Sequence, residues 1–351
     1  MKQIMIDGRP VGDGAPFYTI AEVGSNFDQD IDKARRLVDL AIECGADSVK
    51  FQSFKAEKLV SDEGFKQLKV GYQAKWTKSV TEVYKGAEFP SDWHQEIFDY
   101  CKQKGITFFS APYDRESVDM LDNMGIPVFK IGSGDITWLE MVDYIARKGK
   151  PIILATGAST MEQVENAVNT IKAAGNDDIV LLQCVTNYPA SFDNINLRVL
   201  QAFRDKFDCL VGYSDHTPGS IVALGTVALG GCMIEKHFTD DKTLPGPDHG
   251  FAMDGDDFKA MVADIRLMEK ILGSPVKEVY PEEQDQYVSM KRGIRAASDL
   301  KSGNVISRED LELLRPCEEE TLKADQLDIV VGRKLVADVQ KGQGLTASDL
   351  G

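Results

Sequence analysis

The chain has only four histidines in 351 residues, and two of them stand in near-identical settings. His216 closes the run Leu210-Val-Gly-Tyr-Ser-Asp-His216, and His237 closes Met233-Ile-Glu-Lys-His237. Both runs are short, apolar and strand-like, and a Gly/Ala-rich helical pattern, Ile221 to Gly231, separates them. Two imidazoles at the carboxyl ends of consecutive strands are placed to share one ion. Imidazole with oxygen ligands suits a borderline divalent metal such as Mn²⁺, Zn²⁺ or Co²⁺. Only two protein ligands would leave positions open, as catalytic sites do and closed structural sites do not. The competing explanation is a pair of hydrogen-bonded core histidines. His94, in a helical pattern beside Trp93, is expected to be ordinary.

Other polar residues fall at the ends of apolar runs in the same way. They are Glu22 and Asn26, then Lys50 and Gln52, then Lys130, Ser133 and Asp135, then Thr156. Gln183, Thr186, Asn187 and Tyr188 follow, then Ser214 and Asp215, then Glu235 and Lys236. Lysines and carboxylates inside apolar strands are rare unless paired or in use. Glu235 and Lys236 can simply pair or point outward. Lys50, Lys130, Ser133 and Ser214 together offer charge and hydroxyl donors for a phosphate or carboxylate. Gly132-Ser133-Gly134 adds a turn that lets backbone N–H groups approach a ligand. The chemistry implied is that of an enzyme handling an anionic small molecule beside a metal that polarises a carbonyl.

Such residues need a scaffold that brings strand ends together. Eight β-rich runs alternate with helix-period stretches: 17–24, 48–52, 107–112, 128–133, 152–157, 179–185, 210–216 and 233–239. Helices are predicted over 31–44, 91–104, 115–124, 138–148, 161–174, 197–207, 221–229 and 256–272. Four of them run into glycine, at Gly45, Gly105, Gly125 and Gly175, the residue favoured at a left-handed helix stop. Strand–helix alternation implies a parallel sheet buried on both faces, and eight such units imply an α/β fold of the closed (β/α)₈ TIM-barrel type, with catalytic groups at the carboxyl ends of the strands. A doubly wound open sheet is the alternative, weakened because no GxGxxG follows the first strand. A Lys- and aromatic-rich insertion, 54–90, follows the second strand and is expected to form a lid or an extra helical element.

A Pro/Glu/Gln-rich stretch, Pro275 to Gln286, reads as a linker. Beyond it the chain repeats itself: Asp299, Gly303, Ser307 and Asp310 recur as Asp338, Gly342, Thr346 and Asp349 at a constant offset of 39. Each copy reads as a strand, a Gly turn and a Ser/Thr cap on one helical turn, which predicts a small pseudo-symmetric β-rich module. The expected division is therefore a barrel over 1–274, a linker over 275–290 and a small domain over 291–351. The six cysteines lack CxxC spacing and read as buried thiols. A net charge of −16 disfavours nucleic acid or an anionic membrane as partner. No apolar run is long enough to span a bilayer, and the start lacks a signal-peptide pattern, so a cytoplasmic location is expected.

Taken together, Ile20-Ala-Glu22-Val-Gly-Ser-Asn26, Val49-Lys50-Phe-Gln52, Phe129-Lys130-Ile-Gly-Ser133-Gly-Asp135, Gly212-Tyr-Ser-Asp-His216, Glu235-Lys-His237-Phe-Thr and Gly246-Pro-Asp248 resemble the bacterial sialic acid synthases, including the legionaminate and pseudaminate branches. The C-terminal repeat is similar to their antifreeze-like (SAF, β-clip) domain. The resemblance implies condensation of phosphoenolpyruvate with an N-acyl amino-sugar aldehyde, releasing phosphate and a nine-carbon 2-keto acid. It implies a divalent metal, Mn²⁺ first with Mg²⁺ or Co²⁺ as alternatives, on His216 and His237, and Glu22 as the proton shuttle. It assigns Lys50, Lys130, Ser133, Thr186 and Ser214 to phosphoenolpyruvate, and Gln52, Asp135, Tyr188, Asp248 and Arg315 to the sugar. It also implies a domain-swapped homodimer in which Arg315 arrives from the partner.

Some positions depart from that pattern. Ala155-Thr156-Gly157 and Ser110-Ala111-Pro112 lack hydroxyls that some members carry, and Thr156 or Ser110 would have to replace them. Thr186 stands where one branch has Asn, and Cys317 replaces a Gly. The rival readings are another phosphoenolpyruvate-dependent aldose synthase, a metal-dependent aldolase on the same barrel, or a sugar-binding protein on a dead barrel.

Overall fold

The computed structural model describes residues 2–68 and 78–351, so the middle of the 54–90 insertion lies outside the described residues. The chain divides into two compact units, Met1–Gly273 and Ser274–Gly351. In the first unit all eight expected runs form strands: β1 (Tyr18–Glu22), β2 (Ser48–Ser53), β3 (Thr107–Pro112), β4 (Phe129–Ile131), β5 (Ile152–Ala155), β6 (Ile179–Cys184), β7 (Leu210–Asp215) and β8 (Met233–His237). They make one parallel sheet in the order β3-β2-β1-β8-β7-β6-β5-β4. β3 and β4 lie side by side and bring the ends together, though no ladder joins them among the described residues. The result is a nearly closed TIM barrel, as the alternation predicts.

Eight helices follow the strands, and their stops obey the expected physics. Gly45, Gly105, Gly125 and Gly175 all adopt φ between 77° and 85°, where a side chain would be strained. Helix starts are capped by short polar side chains: Asp30, Asp114, Thr160 and Asp254 each accept a first-turn N–H. The helices cover the outer faces of the strands, burying residues such as Ala21, Val49, Phe51 and Ile234. Residues of alternate parity turn inward. Tyr18, Ile20, Phe109, Ile153, Leu182 and Met233 fill the lower barrel. An N-terminal hairpin, Gln3–Ile6 paired with Arg9–Gly12, adds Ile4, Ile6 and Val11 to that inner core. The strand–helix alternation of the sequence does not signal this plug.

The second unit has its own core, including Ile294, Leu300, Ile306, Leu335, Val339 and Leu345. β9 (Gly293–Ala296) pairs antiparallel with β10 (Leu311–Leu314). The internal repeat is visible as geometry. Leu300 and Val339, equivalent positions of the two copies, exchange reciprocal backbone hydrogen bonds of 2.8 and 2.9 Å. Asp310 accepts from Ser307, and Asp349 from Thr346, through the same pair of 2.8 Å bonds. All six cysteines are free and buried, as expected. No helix among the described residues is long and apolar enough to cross a membrane.

Candidate active site

In a parallel sheet, laterally paired residues face the same side, so the register decides which side chains meet. One row pairs His237 with Glu22 and Glu22 with Lys50. A second row, one inward layer deeper, pairs Cys184 with Ser214 and Ser214 with Glu235. Both rows open into a cavity of about 420 Å³ at the carboxyl ends of the strands.

At its floor lies a four-membered charge cluster. Lys50 Nζ is 2.9 Å from Glu22 Oε2 and 3.6 Å from Glu235 Oε1, and Lys130 Nζ is 3.6 Å from the same Glu235 oxygen. Gln52 donates to Glu22 Oε1 at 2.7 Å, and Ser214 donates to Glu235 Oε1 at 3.1 Å. None of the four charged side chains is more than 7 % exposed. Burial pushes the Glu22 carboxyl up, and the attraction of Lys50 does not offset it. Burial acts the same way on Glu235, but Lys130 and Lys50 overcome it and hold that carboxylate down to about 2. Burial also draws Lys130 below its ordinary value, whereas Glu22 and Glu235 keep Lys50 above its own. Two neighbouring carboxyls pushed in opposite directions are a basis for separate proton-carrying and charge-holding roles.

The two histidines come together as the strand spacing implies, with ring centroids 5.5 Å apart. His216 Nδ1 lies 2.9 Å from the Val185 carbonyl oxygen. A carbonyl only accepts, so Nδ1 carries the hydrogen and the Nε2 lone pair is left for a ligand. His237 Nδ1 is buried with no hydrogen-bond partner, and burial holds this ring below the ordinary imidazole range. Tyr188 stacks on His216 at 4.2 Å and Phe251 packs against His237 at 4.8 Å, fixing both rings. Asp248 accepts from the Ser25 N–H and hydroxyl at 3.0 and 2.9 Å. A Cβ on Gly24 would stand 2.6 Å from Asp248 Oδ2 and 3.4 Å from His237 Nδ1, so only glycine leaves that space. Among the described residues no group of three or more His, Cys, Asp or Glu forms a ligand cluster. The donor set is thus two imidazoles, one with an orphaned buried nitrogen, and it fits a divalent ion with open positions.

Beside the lysines is a small hydroxyl-lined cradle. Ser133 Oγ accepts from the Gly157 N–H at 2.9 Å. A Cβ on Gly157 would lie 2.1 Å from Thr186 Oγ1, 2.9 Å from Ser133 Oγ and 3.0 Å from Cys184 Sγ. Glycine here lets three polar side chains from two strand ends, β4 and β6, converge. Thr156 and Ser110 do not restore the missing hydroxyls. Thr156 Oγ1 is spent on the Leu182 carbonyl at 2.9 Å, and Ser110 is bonded to Ser53 at 2.7 Å. Both are outward-facing, because Ala155 and Ala111 occupy the inward parity.

Gln52, Asp135, Tyr188 and Asp248 all line the cavity, as do Lys50, Lys130, Ser133, Thr186 and Ser214. Burial lifts the Asp135 carboxyl to about 6 against the pull of Lys130. Arg315 lies in the second unit, exposed, directly after β10. Lys236 does face outward: it forms a buried pair with Asp215 at 2.6 Å and also donates to the Thr217 carbonyl. Asn26 is structural, donating to the Phe238 carbonyl at 2.9 Å. His94 is a buried core residue between the Pro90 carbonyl and Ser53 Oγ, held down to about 4 by burial. Glu235, one of the strand-end polar residues of the sequence, lines the cavity instead of pointing outward, and Cys184 and Tyr113, which the sequence does not mark, line it too. The parity that selects His237 also selects Glu235, so that signal was present in the sequence.

Against known proteins, the NeuB family model matches residues 37–277 and the SAF domain model matches residues 291–351. The chain is 39 % identical to the N,N'-diacetyllegionaminic acid synthase of Campylobacter jejuni over 85 % of this chain and 90 % of that one. It is 38 % identical to the enzyme of the same name from Legionella pneumophila over 96 % and 95 %. The crystal structure of an N-acetylneuraminic acid synthetase from Leptospira borgpetersenii in complex with citrate superposes with a TM-score of 0.72 at 30 % identity, covering 81 % of this chain and 95 % of that one.

Proposed function

The chain belongs to the NeuB family and ends in a SAF domain, and from that premise we propose that it is a nonulosonic (sialic-type) acid synthase. Its substrates on this reading are phosphoenolpyruvate and the open-chain aldehyde of an N-acyl amino sugar, either N-acetylmannosamine or a 6-deoxy-diacetamido hexose. The observation that carries the reading is the buried Glu22–Lys50–Glu235–Lys130 cluster beside the paired histidines.

Lys50 and Lys130 supply the charge for the phosphate and carboxylate of phosphoenolpyruvate, and Ser133, Thr186 and Ser214 supply the donors. Glu235, held anionic, keeps both ammonium groups inside the barrel before substrate arrives. A divalent ion on His216 and His237, Mn²⁺ before Mg²⁺ or Co²⁺, would supply Lewis-acid polarisation of the aldehyde oxygen. C3 of phosphoenolpyruvate then attacks the aldehyde carbon, water adds at C2, and the C2–O bond breaks to release phosphate. Glu22, poised by burial to hold or lose a proton, takes one from the adding water and returns one to the new sugar hydroxyl. Gln52, by its bond to Glu22, orients that carboxyl. Asp135, Tyr188 and Asp248 stand where the sugar must lie. Arg315 completes the site from the partner subunit of a cytoplasmic homodimer.

The test is to incubate the protein with Mn²⁺, phosphoenolpyruvate and candidate sugars, and to follow inorganic phosphate and product mass. Phosphate release coupled to a nine-carbon keto acid is the expected result. A pyruvate aldolase would yield product without phosphate and would overturn the reading.

A further inference from the structure

β8 ends at His237, and the chain leaves the barrel there and returns to it at Met253. The Met253 N–H donates to the His237 carbonyl at 2.8 Å, and the Thr239 N–H donates to the Met253 carbonyl at 2.9 Å, which closes the base of the excursion. Its far part, Gly246-Pro-Asp248-His249-Gly-Phe251, delivers Asp248 to the cavity and Phe251 to the His237 ring. Closing the base of a loop does not by itself fix its tip, so the position of Asp248 needs a further cause.

His249, the next residue, is more deeply buried than either His216 or His237, and the proposed chemistry does not use it. Its ring stands between two elements. Nδ1 lies 2.7 Å from Thr239 Oγ1 at the base of the loop, and Nε2 lies 3.0 Å from Asp28 Oδ1 in the turn after β1. A carboxylate only accepts, so Nε2 carries a hydrogen. Burial works against the charge on Asp28, but hydrogen bonds from Lys33 and His249 hold that carboxyl below its ordinary value. Lys33, buried on the helix Ile31–Glu43, reaches Asp28 at 2.7 Å and Asp240 at 3.1 Å. A Cβ on Gly246 would stand 2.7 Å from His249 Cδ2, so the ring fills the space that this glycine leaves. Asp28 and Gln29 have φ of 50° and 55°, a conformation that non-glycine residues keep only where their surroundings impose it.

We propose that His249 is a positioning residue for the acceptor sugar: by tying the tip of the loop to Asp28, it holds the Asp248 carboxylate where the sugar meets it. The inference rests on the synthase reading above. Ser25 and Asp28 belong to one turn, closed by the Asp28 N–H on the Ser25 carbonyl at 3.2 Å. Ser25 engages Asp248 through Oδ2, and Asp28 engages His249. The loop is therefore pinned to the same turn at two adjacent residues, one facing the cavity and one buried behind it. A single pin leaves the loop backbone free to swing about it, whereas two fix its orientation. A carboxylate so held accepts from a hydroxyl or an amide N–H of the acceptor. The lysines and hydroxyls assigned to phosphoenolpyruvate stand on other strands, so a swing of this loop moves the sugar contact and leaves them in place.

The experiment follows phosphate release by the full chain with Mn²⁺, phosphoenolpyruvate and whichever of N-acetylmannosamine and a 6-deoxy-diacetamido hexose the wild type turns over faster. His249→Ala removes both contacts of the ring. Asp28→Gly removes the anchor from the other side, and glycine takes a positive φ without strain, so this second variant tests the clamp if the first folds poorly. Each should raise KM for the sugar by about 10- to 100-fold, the scale of misplacing a contacting group by about 1 Å, and leave KM for phosphoenolpyruvate unchanged. His249→Gln, whose amide can still donate to Asp28, should recover most of the lost sugar affinity. KM does not depend on how much of a preparation is active, so a purely stabilising role would lower apparent kcat and Tm and leave both KM values at wild type. That result would overturn the proposal and leave the synthase reading standing, as would equal rises in both KM values or a glutamine variant as impaired as the alanine one. Absence of phosphate release by the wild type with either sugar would remove both.

Discussion

Replacing Glu22 by Gln is the sharpest perturbation of the proposed chemistry, because it removes a charge and a titratable proton and changes almost no volume. Lys50 loses a partner at 2.9 Å but keeps Glu235 at 3.6 Å. With an effective dielectric near 20, those separations correspond to gross attractions of about 6 and about 5 kcal/mol. Desolvating the Glu22 carboxylate costs several kcal/mol and offsets most of the first figure. Lys50 therefore stays protonated in the variant, and the new amide still accepts the Gln52 hydrogen bond through its carbonyl oxygen. The net destabilisation should be about 1–3 kcal/mol, a fall of about 2–6 °C in Tm for a unit of this size. Phosphoenolpyruvate should bind at least as tightly, since one negative charge has left the floor. Turnover should drop by about 10²–10⁴, the usual contribution of a positioned acid–base group. Steady-state phosphate release gives kcat, and calorimetric titration with phosphoenolpyruvate and Mn²⁺ gives binding. Retention of kcat within a factor of three would refute a proton-carrying role. Loss of binding with kcat preserved at saturation would show that Glu22 only positions Lys50.

His216→Ala and His237→Ala should each abolish turnover and weaken Mn²⁺ binding, read directly by calorimetry; full wild-type activity in excess chelator would exclude a metal role. Mixing Arg315→Ala chains with Glu22→Gln chains should restore part of the activity if the site is shared between subunits, and subunit exchange without any recovery would count against that arrangement. His94 is buried neutral with its pKa lowered to about 4 from 6.5, so the unfolded chain binds the proton first. Stability contributed by this group is present above pH 6.5 and is lost as pH falls from there toward 4. Thermal denaturation of His94→Gln should show a shallower decline than wild type over that window; parallel curves would remove the argument. Asp135 acts with the opposite sign, since burial raises its pKa from 3.8 to about 6. Asp135→Asn should therefore gain in Tm relative to wild type as pH rises from 4 to 6, and a difference independent of pH would contradict the burial argument.

Much of this protein is legible along one dimension. Strand and helix periods differ, so eight alternations of the two specify a barrel without any knowledge of contacts. The glycines that end helices do so because only they occupy a left-handed conformation at no steric cost, a purely local property. The repeat at a constant offset announces a pseudo-symmetric module because each copy caps its own turn. The histidines, Glu22 and the lysines stand out because charge within an apolar strand is costly wherever the strand ends up.

What the linear order could not settle is direction and register. Glu235 and Lys236 are neighbours in sequence and both buried, yet one enters the cavity between two lysines and the other turns outward to Asp215. A pleated strand alternates faces, and only closure of the sheet decides which face is the inside. The same closure sends the hydroxyls of Thr156 and Ser110 away from the cavity. It gathers Ser133, Thr186 and Cys184 around a glycine that no local rule would single out. Residue types and spacing therefore determined which groups are present and at what height along the barrel. The tertiary structure alone determined which of them share a space, because electrostatic and hydrogen-bond partners lie on different strands, and their distances are set by lateral pairing that the chain order does not contain.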